Sequence, residues 1–141
     1  CECIPLVQDR LLAVLPKNHP MANLPRFPVS QVQNEHFISL LESSDMDARN
    51  VLNAAGIHPN IRFTTKDDYA IIAMVEQGLG MSIMPELLLE RRSENVVTLE
   101  LVPKASRLIG IAIPNASRSS PATRSFVDFV VEWIKQNRTN E

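Results

Sequence analysis

Cysteine is almost missing from this chain: of 141 residues only Cys1 and Cys3 carry a thiol, and both stand at the very start. That excludes a disulfide framework and makes a reducing compartment the plain expectation. A tetrahedral zinc site needs more ligands than one Cys-x-Cys pair, and no partner cluster exists for it. An excess of positive charge is missing too: 14 Lys+Arg stand against 16 Asp+Glu, a formal net charge of -2. A domain that grips phosphates normally carries a basic field, so nucleic-acid contact by this segment is disfavoured, although a domain joined to it is not constrained. No apolar run approaches the ~20 residues needed to span a bilayer. No basic stretch followed by an apolar one marks a secretory leader. Because the chain opens on a strand-like run rather than Met, the expectation is a fragment from which a leader or another domain has been cut.

What is present is ordinary for a folded domain. Apolar residues make up 45% and charged residues 21%, near globular averages, which excludes disorder and a collagen-like repeat. At 15.8 kDa a compact fold buries roughly two-thirds of its extended surface, enough for one domain and not comfortably for two. Apolar runs at 3–7 and 11–15, the second stopped by Pro16, suit a strand buried on both faces. Residues 21–33 hold two prolines and no sustained period, so they read as connection with one helical turn. A strand is expected at 37–41, then a helix whose face is Ala48, Val51, Leu52 and Ala55, started by Ser44 with Asp47 and closed by Gly56. Residues 61–64 alternate as a strand. Thr65 with Asp68 starts a second helix, apolar all round from Tyr69 to Val75 and therefore expected to be covered on most sides. A buried strand at 81–84, a short helix at 86–91, strands at 96–101 and 108–113, and a last helix begun by Ser120 and Pro121 complete the order. This is an α/β pattern around one central sheet.

Catalytic constellations are not evident. His19, His36 and His58 each lie beside a turn or loop, and none has the spacing of a metalloprotease helix. There is no nucleophile elbow, P-loop or calcium loop. Gly78-Leu79-Gly80 follows a helix rather than a strand, the wrong context for a nucleotide fingerprint; the plainer reading is a helix cap plus a glycine at a close approach. Asp45, Asp47, Asp67 and Asp68 read as carboxylates at helix starts. Geometry is more informative. If 37–41 and 61–64 are neighbouring parallel strands, their carboxyl ends open onto Ser43-Ser44 and Thr64-Thr65, just before helix N-termini. Free N–H groups and hydroxyls there suit a small anion such as a carboxylate or phosphate. Simple capping with no ligand accounts for the same residues.

Several stretches, taken in order, carry a family likeness. They are Pro5-Leu6-Val7, the run from Arg10 to Leu15, and Pro16-Lys17-Asn18-His19-Pro20-Met21-Ala22. Phe37-Ile38 and Ala55-Gly56-Ile57-His58-Pro59 follow. The densest is Val75-Glu76-Gln77-Gly78-Leu79-Gly80-Met81-Ser82-Ile83-Met84-Pro85, and Ser120-Pro121-Ala122-Thr123-Arg124-Ser125-Phe126-Val127-Asp128-Phe129 closes the set. Over nearly its full length the chain resembles the C-terminal effector-binding domain of LysR-type transcriptional regulators.

That resemblance implies an α/β fold of the type II periplasmic-binding-protein kind, mainly the second subdomain with a partial first subdomain. Residues 1–15 and 108–137 would be the remnant of subdomain one, 16–107 subdomain two, and 138–141 a frayed tail. The first half of subdomain one and a winged helix-turn-helix DNA-binding domain would precede Cys1. Carried over by position, the effector half-site comprises Ser39, Thr64 or Thr65, and Ser82 or the Met84-Pro85 turn. The opposite wall would be missing, so a complete pocket is not expected in this chain.

The implied partners are a small-molecule, anionic effector and promoter DNA through the separate domain. No cofactor, metal, catalytic residue or membrane contact is implied, and the setting is cytoplasmic. Helix 120–136, with Phe126, Val127, Val130, Trp133 and Ile134 as an apolar stripe, would have lost part of its partner layer; a second copy of the chain is expected to cover it, giving a homo-oligomer. A bilobal solute-binding protein or an enzyme on the same fold is the alternative, since fold analogy alone does not separate them.

Overall fold

Residues Leu11 to Pro16 are all buried, and this run is the axis of the structure. The computed structural model describes residues 1–41 and 46–138. The two apolar runs at the start of the sequence are a single strand, β1 (Glu2–Pro16). Within it only residues 11–16 are buried without interruption: Leu11, Ala13 and Leu15 join one core cluster and Leu12 and Val14 another, while β5 (Ser82–Pro85) and β6 (Val96–Val102) pair antiparallel along its two edges. Continuous burial on both faces is what an unbroken apolar run supplies.

The chain divides into two compact units. The larger runs from Arg10 to Arg107, and the smaller joins Cys1–Asp9 to the chain from Leu108 onward. In the larger unit β2 (Arg26–Pro28) adds to β6 in parallel, giving the order β2-β6-β1-β5. The proline-rich connection expected at 21–33 thus contains a strand. It is too short to show a period, and its one core residue is the fully buried Phe27. A 3-10 turn at Val29–Asn34 follows it.

One central sheet was expected, but the strands sort into two ladders. β3 (His36–Leu40) and β4 (Asn60–Thr65) pair in parallel as a separate two-stranded sheet. Its link to the larger ladder is the single bridge Phe37 to Met81. At that crossing a Cβ on Gly80 would lie 2.5 Å from the His36 carbonyl oxygen, so glycine is what lets the two backbones meet. Gly78, at φ +78°, ends the preceding helix as a left-handed cap.

α1 (Met46–Ala54) buries Ala48 and Leu52 against Phe37, Leu15 and Phe27, and Gly56 follows it at φ +68°. Its expected cap, Ser44, lies outside the described residues. α2 (Asp68–Glu76) is capped by Asp67 rather than by Thr65: Asp67 Oδ1 accepts the Tyr69 N–H at 2.9 Å, while Thr65 Oγ1 accepts the Asp67 N–H at 3.2 Å. From Tyr69 to Val75, α2 is covered except at Tyr69 and Ala73. Ile71, Ile72 and Val75 face Ile38, Val14 and Met84, whereas Tyr69 is 66% exposed. The short helix expected at 86–91 is a 3-10 turn at Glu86–Leu89.

In the smaller unit β7 (Ser106–Ile113) pairs with β1; a Cβ on Gly110 would stand 2.5 Å from the Ile4 carbonyl oxygen, so the strands close tightly there. α3 (Pro121–Arg138) starts as its sequence dictates, with Ser120 Oγ accepting the Thr123 N–H at 3.1 Å. Of its expected stripe, Val127 is buried and Val130 and Ile134 are half-buried, whereas Phe126 and Trp133 are exposed.

Candidate functional site

The parallel pairing of β3 and β4 sets Ser39 opposite Thr64 and Leu40 opposite Thr65. The hydroxyls do not converge. Ser39 is buried, with Oγ 3.4 Å from the Leu40 carbonyl. Thr64 is exposed, and Thr65 holds the start of α2 through Asp67. Ser82, only 2% exposed, donates to the Ile38 carbonyl at 2.8 Å and so ties β5 to β3. Ser39, Thr64 and Thr65 sit near the carboxyl ends of β3 and β4 while Ser82 opens β5, and three of these four hydroxyls bond to nearby backbone.

A cavity of about 100 Å³ opens beside that edge. Its floor is the run from Ser82 to Pro85 with Leu11, and Leu40, Ile71 and Leu88 supply apolar walls. Among the described residues three charged ones line it: Asp47 and Asp68 from the first turns of α1 and α2, and Arg107. Arg107 Nη1 stands 3.4 Å from Asp47 Oδ2, with side chains 28% and 35% exposed. Each helix start adds roughly half a positive charge within its first turn. Cavity chemistry is therefore mixed: a guanidinium, two helix N-termini, two carboxylates and an apolar floor.

Of the residues singled out from sequence, Ser82, Met84 and Pro85 line this cavity together. Ser39 instead lines a separate cavity of about 160 Å³ between α1 and the β3–β4 ladder, with Phe37, Leu52, Ile61, Arg49 and Asn53. Thr64 and Thr65 line neither. Arg107 was missed, because a lone cation beside a strand start carries no local signal. Asp47 and Asp68 were read as helix-start carboxylates, which they are, without the cavity they face.

Outside the cavity several ionisable groups have structural partners. Glu86 holds the Arg10 guanidinium by two bonds of 2.9 and 2.7 Å, and this hydrogen-bonded charge raises the Arg10 pKa above its ordinary value. His19 accepts the Met21 N–H at Nδ1 (3.0 Å) and meets Glu35 through Nε2 (3.0 Å), locking the turn after β1. His36 and His58 are exposed. Among the described residues no group of three or more His, Cys, Asp or Glu side chains could hold a metal. No described helix is long and apolar enough to cross a membrane.

The family model of the LysR substrate binding domain matches residues 1–135. This chain belongs to that family. As a LysR substrate-binding domain it is 28% identical over 137 residues to the uncharacterized HTH-type transcriptional regulator YybE of Bacillus subtilis, covering 96% of this chain and 47% of that protein. It is 24% identical over 135 residues to the transcriptional dual regulator GltC of the same organism, covering 93% and 45%. The chain thus spans about half the length of the curated relatives it matches. Among solved structures, the effector-binding domain of QuiR in complex with shikimate superposes with a TM-score of 0.79 at 27% identity, over 96% of this chain and 66% of that one. The regulatory domain of Synechocystis CcmR in complex with 2-PG gives 0.85 at 18% identity, over 95% and 67%, a likeness of fold. The fold is the two-subdomain α/β arrangement of LysR effector domains, and the chain is a small-molecule effector-sensing domain of that type.

Proposed function

We propose that this LysR domain senses a small metabolite bearing an anionic group, held at the cavity floored by Ser82, Met84 and Pro85. The observation that carries the reading is the convergence there of Arg107 with the N-termini of α1 and α2 at the carboxyl end of β3. This is the edge where open α/β sheets take ligands. The likeness to the QuiR domain, whose ligand shikimate is a carboxylate, supports an anion of that size. Ser39, Thr64 and Thr65 belong to the proposed half-site through the strand-end positions they hold.

The unit Arg10–Arg107 is the second subdomain in this reading, and the smaller unit the remnant of the first. In the whole protein, promoter DNA is contacted by a separate domain, in keeping with the net charge of -2 here. That protein is a cytoplasmic homo-oligomer, for which the exposed apolar side chains of α3 supply a surface.

The test is calorimetry of the chain with shikimate and short carboxylates, repeated on Arg107→Gln. Binding that falls at least tenfold in the variant is expected. Equal affinity for both chains would remove the anion from this cavity.

A further inference from the structure

We infer that the effector carries an apolar body, seated against Leu40, Ile71 and Leu88, and that Leu88 selects for it. This rests on the cavity being the effector site and adds the character of the ligand beyond its anionic group.

Leu40 ends β3, Ile71 stands on α2 and Leu88 lies in the 3-10 turn Glu86–Leu89, yet all three line one cavity. Leu40 and Leu88 pack against the core cluster that holds Ile71 and Met84, while Leu11 and Ile83 on the floor belong to the other cluster. Both cores therefore reach the surface here. Leu40 and Leu88 are only half-buried, so each keeps apolar surface that a hydrocarbon group would remove from water. A hydroxylated body gains nothing comparable. Among the described residues of the floor and the apolar walls, only Ser82 has a polar side chain. Its hydroxyl is out of reach, on a residue 2% exposed, and donates to the Ile38 carbonyl at 2.8 Å. A ligand hydroxyl pressed against these walls is stripped of water without a partner.

Leu88 is the selecting residue because the turn that presents it is held in place by the protein alone. Glu86 grips the Arg10 guanidinium through bonds of 2.9 and 2.7 Å. Leu89 is buried in the core cluster, and Arg92 Nη1 donates to its carbonyl at 3.2 Å. Of the three leucines in the turn only Leu88 lines the cavity. It belongs to no rung of the β1 ladder, so its side chain can change while that ladder stays paired.

The experiment compares carboxylates that differ only in hydroxyl groups: butanoate with 3-hydroxybutanoate, and cyclohex-1-ene-1-carboxylate with shikimate. Affinity is read by calorimetry, and location by amide chemical-shift changes at Leu40, Ile71 and Leu88. In at least one pair the unhydroxylated acid is expected to bind tenfold or more tightly, with shifts at those amides. Nuclear Overhauser effects from its body to the Leu88 methyl groups are expected as well. Leu88→Asn, close to leucine in volume, should cut that ratio at least threefold, whereas Leu88→Met should keep it within about twofold. The Overhauser contact needs no variant, so it tests Leu88 even if Leu88→Asn fails to fold. No such contact, or a smaller fall in the ratio, would remove Leu88 from the selection. Shifts at the cavity with ratios below tenfold in both pairs would overturn the apolar body and leave the anion site intact. Shifts confined to other residues, or no binding by any of these acids, would overturn both.

Discussion

Replacing Gly80 by alanine tests whether the crossing of the two ladders is as tight as the backbone geometry states. The new Cβ would lie 2.5 Å from the His36 carbonyl oxygen, 3.1 Å from the His36 carbonyl carbon and 3.3 Å from Ile38 Cγ1. Two of these are backbone atoms, so β3 must retreat; a side chain cannot simply swing aside. Retreat strains two backbone hydrogen bonds between the ladders, Met81 N–H to the His36 carbonyl at 2.8 Å and Ile38 N–H to the Met81 carbonyl at 2.9 Å. Overpacking of this kind costs about 1–3 kcal/mol, and weakening the two bonds adds roughly 1 kcal/mol. We expect Gly80→Ala to lose about 2–4 kcal/mol in urea unfolding followed by far-UV circular dichroism. At roughly 4 °C per kcal/mol for a unit of this size, the melting temperature falls by about 8–16 °C. Gly78→Ala is the internal control: at φ +78° nothing lies within 4 Å of its Cβ, so only the left-handed backbone resists, at about 1 kcal/mol. A Gly80→Ala chain no less stable than Gly78→Ala would refute the reasoning.

Three more expectations follow from single contacts. Asp67→Ala removes the cap of α2 and should cost about 1 kcal/mol in the same urea assay; an unchanged midpoint would mean that Thr65 can cap in its place. Because His19 Nδ1 accepts the Met21 N–H, the neutral ring must carry its proton on Nε2, which nitrogen-15 shifts of the imidazole report; an Nδ1–H ring would contradict the turn. Phe129 and Trp133 are 66% and 51% exposed on α3. Sedimentation equilibrium should find self-association of the chain that Phe129→Ser with Trp133→Ser abolishes, and a monomeric parent chain would show that these side chains are not a contact between copies.

The fold was legible wherever a local pattern was long enough to leave a period. The unbroken apolar run 11–15 gave the central strand, and Ala48, Leu52 and Gly56 gave the buried face and end of α1. Ser120 and Pro121 placed the start of α3. Three-residue β2 left no period to read, and its place beside β6 is set by a partner far along the chain. The apolar composition of α2 foretold its cover but not the exposure of Tyr69 and Ala73, because composition does not say how far the neighbouring sheet extends. The bridge between the two ladders depends on one glycine meeting one carbonyl, which no window of sequence displays. For the proposed site, the consecutive residues Ser82 to Pro85 of its floor were within reach of the sequence, because they form one short strand. Its charged half was not, since Asp47 and Arg107 are 60 positions apart and each looks ordinary among its neighbours.

The floor of the cavity and the core of the larger unit share the same residues. Ser82, Ile83, Met84 and Pro85 are the rungs that pair with Val14, Ala13, Leu12 and Leu11. A change there disturbs the most buried ladder of the molecule along with the ligand. Asp47, Asp68, Leu88 and Arg107, by contrast, line the cavity without belonging to a rung of that ladder. In the proposed reading, what the domain recognises can therefore be rewritten on the cavity walls while the floor keeps the chain folded. Such a division lets one scaffold serve many chemical signals, because retuning the ligand and preserving the fold make demands on different residues.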